Sequence, residues 1–344
     1  MERESLPKKT YEDYTIAVVF AMSFEMTAFR CMLDSQHQRL PSKPDDSNIY
    51  TLGDVHGHNV VLACLSGQQG KGAAAVVSCN MWRSFPSIKW RFLVGIGGGI
   101  PSPSNDIRLG DVVVSMPQGQ YGGVVQYDLG KDTEDGFILK GFLCPPPALL
   151  RNAVVAMQGD HEMFGNKMKE YITDMNRKWP RLIGYKAPDT PDILFLDDYS
   201  HPPASTSCVN CDRSQTVARK TRATNTPEIH YGLIASGDRV IKSTKKRREA
   251  LKGLGDVLCV EMEAAGLMTE HECMVIRGIS DYADSHKNDD WHRFAATTAA
   301  ACTKEILSYV SPAEAISAPT AYLGRGIQQT GSGSIHIKGD SVFF

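Results

Sequence analysis

The chain lacks what several classes of protein require. Its 344 residues hold no run of about 18 apolar residues, and the mean hydropathy is −0.25, so no membrane-spanning helix and no membrane partner are expected. Charge of one sign is also missing. The 37 Lys and Arg offset 39 Asp and Glu to leave a formal net charge of −2, which argues against a nucleic-acid partner. The opening stretch MERESLPKKTYEDY is polar and charged, unlike a secretory signal, and a cytoplasmic location is expected. No disulfide framework is apparent. The nine cysteines are scattered, their number is odd, and most sit in apolar runs such as VVLAC, which reads as free core thiols in a reducing compartment. One pair stands apart, Cys208-x-x-Cys211 with His201 upstream. A structural zinc needs four ligands, and no second CxxC or HxxxH follows, so neither a metal nor a cofactor is expected.

What is present is alternation. Short apolar runs bounded by turn residues predict buried strands at 15–20, 59–64, 91–96, 111–115, 231–235, 257–260 and 274–279. Helical stretches are predicted at Met22–Leu33, Gly72–Trp82 and Asp290–Val310. The pattern indicates an α/β protein with a mostly buried central sheet. Residues 186–228, rich in Pro, Ser, Thr, Asp and Arg, read as a long surface insertion. The expected organisation is one domain over 1–312 and a Gly/Ser-rich tail over 313–344. In the tail, Ser334–Lys338 and Ser341–Phe344 flank Gly339-Asp340, a hairpin-like signal.

Four segments can carry chemistry. GIGGGIP, Gly95 to Pro101, follows a strand, and its glycines would let backbone N–H groups approach a ligand; a tight structural turn explains them equally well. It matches neither GxGxxG nor a Walker loop. In CVEMEAAG, Glu261 and Glu263 share a face of extended backbone, where a carboxylate could hold two vicinal hydroxyls. An exposed helix-start pair favouring the dipole is the plainer reading. RGISDYADSH puts Ser280 and Asp281 at the carboxyl end of a strand, where open α/β sheets gather ligands. Asp281 could cap a helix or protonate a leaving group. Finally, TIAVVFAMSFE delivers Glu25 just beyond the first strand, which could equally be an ordinary first-turn helix glutamate.

Taken in order with GHNVVLACL, DIRLGDVVVS, GGVVQYDLGK, HYGLIASGD and VIRGISDYADSHKN, these segments resemble the purine and uridine phosphorylase superfamily, which includes the methylthioadenosine/S-adenosylhomocysteine nucleosidases. The resemblance spans roughly residues 14–310. It is strongest toward a fungal branch in which this domain precedes ankyrin, NACHT or NB-ARC modules, including ATP nucleosidase-like effectors of innate immunity. It implies a three-layer α/β/α fold around a mixed, partly barrel-like sheet, and cleavage of a nucleoside N-glycosidic bond. Such proteins are usually trimers or hexamers, so a homo-oligomer is expected, often with a neighbouring subunit closing part of the pocket.

Residue by residue, the resemblance implies that Asp281 protonates or hydrogen-bonds purine N7 with Ser280 as its partner. Glu263 would hold the ribose hydroxyls with Met262 packed on the sugar, and Glu261 and the backbone at Gly97 and Gly98 would lie beside them. Val240 and Ile241 would wrap the base, and Glu25 would activate water. Bacterial purine phosphorylases bind phosphate through an arginine and a serine, where this chain has Leu93 and Ile96. An apolar pair cannot hold a doubly charged anion, which favours hydrolysis. For the 5′ end the candidates are polar: His56, His58, Asn59, Lys287, Trp291, Arg293 and Lys242, with the run Lys245–Arg248 nearby. Lys and Arg there would suit a 5′-phosphate chain, so ATP or dATP is the expected substrate, with Lys287 and Arg293 reading phosphates. The competing readings are a phosphate-dependent phosphorylase and a nucleoside-sensing module without turnover. The tail could be a strand-forming segment for self-assembly.

Overall fold

The computed structural model describes residues 9–202 and 207–313. The hairpin-like tail signal lies outside the described residues. In chain order, the strands are β1 (Ile16–Phe20), β2 (Ser35–Gln36), β3 (Thr51–Val55), β4 (His58–Cys64), β5 (Trp90–Gly99), β6 (Val112–Ser115), β7 (Val124–Gln126), β8 (Gly130–Thr133), β9 (Gly136–Leu139), β10 (Ile229–Ser236), β11 (Val257–Glu261) and β12 (Met274–Asp281). The α-helices are α1 (Ser23–Arg30), α2 (Lys71–Ser84), α3 (Ala148–Phe164), α4 (Met168–Lys178), α5 (Thr244–Ala250), α6 (Ala264–Met268) and α7 (His292–Ser308).

Ten strands form one sheet in the order β11-β10-β6-β12-β5-β1-β4-β3-β2, with β7 beside β10. β11 also pairs antiparallel with β5, Cys259 opposite Gly99 and Val260 opposite Gly98. That pairing closes β5, β12, β6, β10 and β11 into a ring, so the sheet is part barrel and part open wing. Side chains alternate between two cores, as period two requires. Ile16, Val18 and Phe20 of β1 face α1, α3, α4 and α7, while Ala17 and Val19 face α2 and α6. The result is the expected α/β/α layering.

Three differences from the sequence expectation have physical causes. The Gly-rich segment is not a loop, because β5 runs on through Gly99. The glycines let β5 accept close neighbours on both sides. α1 is shorter than predicted and ends at Arg30, since the following residues turn into the short β2 edge. The insertion is largely irregular but not loose. Phe195 bridges Thr216, Arg222 pairs with the buried Asp111, and Arg219 and the Tyr282 hydroxyl both reach Asp192.

α7 fixes the position of β12. Its alanines, including Ala295, Ala296, Ala299 and Ala300, are fully buried, and they let the helix axis approach the sheet. Gly278 of β12 lies against the Ala295 backbone, and a Cβ there would overlap the Ala295 carbonyl. Overpacking a site closed by backbone costs about 1–3 kcal/mol or more. Gly278→Ala is therefore expected to lower the urea midpoint by at least that amount with an unchanged m-value, and a midpoint equal to the parent's would remove this contact as a constraint.

Candidate active site

A cavity of about 230 Å³ opens at the carboxyl ends of β1, β5, β11 and β12. β12 delivers Arg277, Ser280 and Asp281, β11 ends in Glu261, and α1, which follows β1, delivers Glu25. β12 runs parallel to β5 with Arg277 opposite Gly95. A bulge between Ile279 and Asp281 breaks the register, so that Asp281 comes opposite Gly98.

The floor is built on Arg277, a fully buried guanidinium. Its Nη2 donates to Glu261 and, at 3.2 Å, to Glu263, and its Nη1 is 3.4 Å from the Ile96 carbonyl. Glu261 also accepts from the backbone N–H groups of Glu263 and Ala264, each at 3.0 Å. Both glutamates are buried, so they are not an exposed helix-start pair, although Glu261 does accept from the backbone at the start of α6. Glu263 is held from the other side by the Gly70 N–H at 3.1 Å. Glu25 sits at the third position of α1. One oxygen reaches back to the Met22 N–H and the other accepts from the Ile96 N–H, both at 2.8 Å. A Cβ at Gly95 would stand 2.5 Å from both Glu25 Oε1 and Arg277 Nη1, so only glycine lets these two groups meet over β5.

Three carboxylates around one guanidinium cannot all be fully compensated. Burial pushes Glu263 up from 4.5 to about 7, against the pull of Arg277 and with the help of Glu261 and Glu25. Burial raises Glu25 as well, with Arg277 and the two backbone donors opposing it. This floor therefore retains a proton that isolated carboxylates would have lost.

Asp281 forms the opposite wall. It accepts from Ser280 Oγ at 2.8 Å and from the Ala283 N–H at 2.9 Å, and it pairs with Lys287. Gly98 leaves room for it, since a Cβ there would lie 3.0 Å from Asp281 Oδ1. Gly97, Met262, Val240, Ile241 and Lys242 complete the lining, together with Ile96, Arg239 and His292. Ile241 is buried and Val240 is exposed at the mouth.

The structure thus brings together Glu25, Gly97, Gly98, Val240, Ile241, Lys242, Glu261, Met262, Glu263, Ser280, Asp281 and Lys287. Five predicted residues lie elsewhere in this chain. His58 hydrogen-bonds the Val310 carbonyl behind the sheet, Asn59 holds the Asp13 carbonyl, and His56 lies against Tyr171 with its N–H on Asp34. Trp291 packs on Phe294 beneath the insertion, and the exposed Arg293 lies against Gly184. The two arginines of the basic run are also engaged. Arg247 donates to the Tyr282 carbonyl and to Asp197, and Arg248 pairs with Asp197, so the insertion neutralises both. Sequence reasoning assigned no role to Arg277 or Arg239. A charge inside the apolar run VIRGIS was the available signal for Arg277.

A pocket of acidic strand ends facing an aspartate, closed by apolar and glycine backbone contacts, is a small-molecule site at the carboxyl edge of an α/β sheet. The chain belongs to the phosphorylase superfamily, whose family model matches residues 15–311. It is 42% identical over 312 residues to a nucleotide-binding leucine-rich repeat (NLR)-like protein of Hyaloscypha variabilis, covering 89% of this chain and 30% of that protein. It is 38% identical over 87 residues to the ATP nucleosidase Cap17 of Escherichia coli, covering 24% of this chain and 17% of that one. The chain therefore spans less than a third of the length of either relative. The fold is similar to a 5′-methylthioadenosine/S-adenosylhomocysteine nucleosidase from Neisseria meningitidis, with TM-score 0.55, 20% identity, and coverage of 86% and 99% of the two chains. It is also similar to the futalosine hydrolase of Helicobacter pylori, with TM-score 0.56, 19% identity, and coverage of 88% and 100%.

Two outcomes follow from the floor. Removing Arg277 leaves buried carboxylates without a counter-ion, so Arg277→Met is expected to cost about 3–5 kcal/mol in chemical denaturation; a loss under 1 kcal/mol would mean the floor does not depend on it. The second concerns pH. The folded pKa of Glu263 lies above its ordinary value, so the native state binds more protons than the unfolded chain between about 4.5 and about 7. Its contribution to stability is complete below that window and is lost as pH rises through about 7. Glu263→Gln should flatten the stability–pH profile across this window, and an unchanged slope would contradict the assignment.

Proposed function

We propose that the chain hydrolyses the N-glycosidic bond of an adenine nucleotide or nucleoside, with ATP or dATP as the favoured substrate. The observation that carries the choice of hydrolysis is the saturation of Arg277. A phosphorolytic enzyme must seat a phosphate dianion beside the ribose. Here the cation at the strand ends already serves Glu261 and Glu263, with Glu25 beside them. Like charges about 4 Å apart at an effective dielectric of 20 repel by about 4 kcal/mol, so the floor favours neutral water over phosphate.

In this reading the ribose lies over Met262 and Glu263, and the base lies between Ile241 and Asp281. Glu25, raised by burial, takes the proton from water held near Ile96. Asp281, oriented by Ser280 and Ala283, gives its proton to N7 of the departing base, so the base leaves neutral and Asp281 is left as a carboxylate beside Lys287. The bond to the base breaks, the sugar carbon passes through a cation-like state, and water adds to it. The cavity of about 230 Å³ fits the nucleoside part, since sites for drug-sized ligands are larger, at roughly 300–1,000 Å³. A 5′-phosphate chain would extend to the mouth. Lys287 is engaged by Asp281, so the cations placed for phosphates are Lys242 and Arg239. The partial likeness to an ATP nucleosidase supports the nucleotide, whereas the fold neighbours act on nucleoside-type substrates. A homo-oligomer and an effector role within a longer protein belong to the same proposal, and the NLR-like relative in Hyaloscypha variabilis supports the longer context.

The deciding measurement is a product chromatogram from ATP, adenosine and methylthioadenosine, each with and without phosphate. Adenine release from ATP independent of phosphate is expected. Dependence on phosphate with formation of ribose 1-phosphate would establish a phosphorylase, and no release from any of the three would favour a sensing module. Asp281→Asn should lower turnover by about 10²–10⁴-fold while the fold survives. Retention of most activity would take Asp281 out of the acid role.

A further inference from the structure

The insertion carries a second cluster, well apart in chemistry from the acidic floor. His201, Cys208 and Cys211 place one ligand atom each within 4.8 Å of one another. Cys211 is buried and Cys208 half-buried. The spacing Cys-x-x-Cys is that of a zinc knuckle, and its two residues flank the short turn Cys208–Asn210. In the sequence this group stopped at three ligands, and no further motif followed to complete it. The fold supplies the neighbour that spacing could not show. His286 follows β12, and its ring centroid stands 5.4 Å from that of His201. Cys208 Sγ lies 3.6 Å from the His286 carbonyl. His286 is buried, and its Nε2 is without a hydrogen-bond partner among the described residues. A buried imidazole nitrogen with no partner is costly unless something occupies it.

We propose that His201, Cys208 and Cys211 bind a zinc ion, that the neighbouring His286, whose ring nitrogens lie outside that 4.8 Å group, swings in to complete a tetrahedral set, and that this ion staples the insertion to the turn following β12. Two thiolates and two imidazoles are a donor set that selects zinc over hard cations. His201 Nδ1 lies 3.1 Å from the Pro202 carbonyl. A hydrogen bond there places the proton on Nδ1 and leaves Nε2 as the donor to metal, the backbone-carbonyl orientation common to metal-binding histidines. Tetrahedral zinc would bring ligand atoms to roughly 3.3–3.8 Å from one another, so the three grouped residues need to contract by at most about 1.5 Å and His286 has further to move.

The consequence is positional. The His201 N–H holds Ser285 Oγ at 2.9 Å, and Phe195 stacks on His286 at 4.0 Å. The same turn carries Lys287, which pairs with Asp281. A zinc staple would therefore hold the strap and the turn beside the cavity as one unit. It would not touch substrate.

The test uses the full chain purified under reductant and loaded with zinc, then dialysed. Elemental analysis is expected to find one zinc per chain. Cobalt loading of the parent protein should give the intense visible bands of a tetrahedral site together with thiolate-to-metal charge transfer. Cys208→Ser and Cys211→Ser should each weaken zinc binding at least tenfold in a chelator competition, and His286→Ala should do the same. Chelation should also expose the insertion to limited proteolysis. The proposal is overturned if the parent takes up no metal at micromolar free zinc. It is overturned equally if zinc survives both cysteine changes, or if the two thiols form a disulfide in place of loading. Octahedral cobalt bands, or unchanged affinity in the His286 variant, would overturn the tetrahedral set.

Discussion

A single buried guanidinium organises the candidate site of this molecule. Arg277 sits at the centre of β12, fully enclosed, with Glu261 and Glu263 on one side and Glu25 on another. Burying a charge is tolerable only when partners replace its water. Arg277 obtains those partners from β11 and α1, elements that the chain places far apart in sequence. The ion cluster therefore ties three segments to one point. It also explains local features with no separate cause. Gly95 is the place where two side chains must cross the strand. The Gly70 N–H turns to Glu263 because that carboxylate has more acceptor capacity than Arg277 alone fills.

The insertion shows how charge can be misread when only its position along the chain is known. Arg247 and Arg248 lie a few residues from the segment expected to wrap a base, which suggested phosphate recognition. In the fold they serve Asp197, while Arg219 and Arg222 serve Asp192 and Asp111. Arg222 and His230 together hold Asp111 below the ordinary carboxylate range. These pairs fasten an otherwise irregular segment to the sheet and to α5. Hydrophobic burial contributes little along this stretch, whose buried apolar side chains include Phe195 and Cys211. Polar anchoring is the natural substitute for a segment rich in Pro, Ser and Thr.

The legible parts of the sequence were those governed by local pattern. β-branched runs such as AVVF and VVLAC marked buried strands because alternation is set within a few residues. The carboxylates at strand ends were found because the chemistry and its motif are contiguous, as in VEMEA and ISD. What was not legible depended on contacts between distant segments. β5 extends through its glycines because β11 and β12 flank it there, a pairing no local rule reports. Arg277 was passed over because its partners lie 14 and 16 residues away and across the sheet. His58 and Asn59 looked like substrate ligands in HGHN, but β4 turns them toward Val310 and Asp13. Sequence spacing cannot tell which face of a two-sided sheet will be covered.

On the proposed reaction, the cavity carries an electrostatic gradient suited to the bond that breaks. The ribose side faces three carboxylates that share one guanidinium, so it is net negative as soon as Glu263 and Glu25 ionise. The base side faces Asp281, whose charge is offset by Lys287. Cleavage of an N-glycosidic bond builds positive charge on the sugar and negative charge on the base. Preorganised charges act most strongly where charge develops and water is excluded. The acidic floor therefore favours the sugar cation, and a proton from Asp281 cancels the negative charge on the base while Lys287 balances the carboxylate left behind. The same gradient disfavours an anionic nucleophile at the floor and tolerates an anionic tail only at the mouth, beside Lys242 and Arg239. Hydrolysis and a 5′-phosphorylated substrate are thus linked through one distribution of charge, fixed by the placement of Arg277 beneath the sugar and not above it.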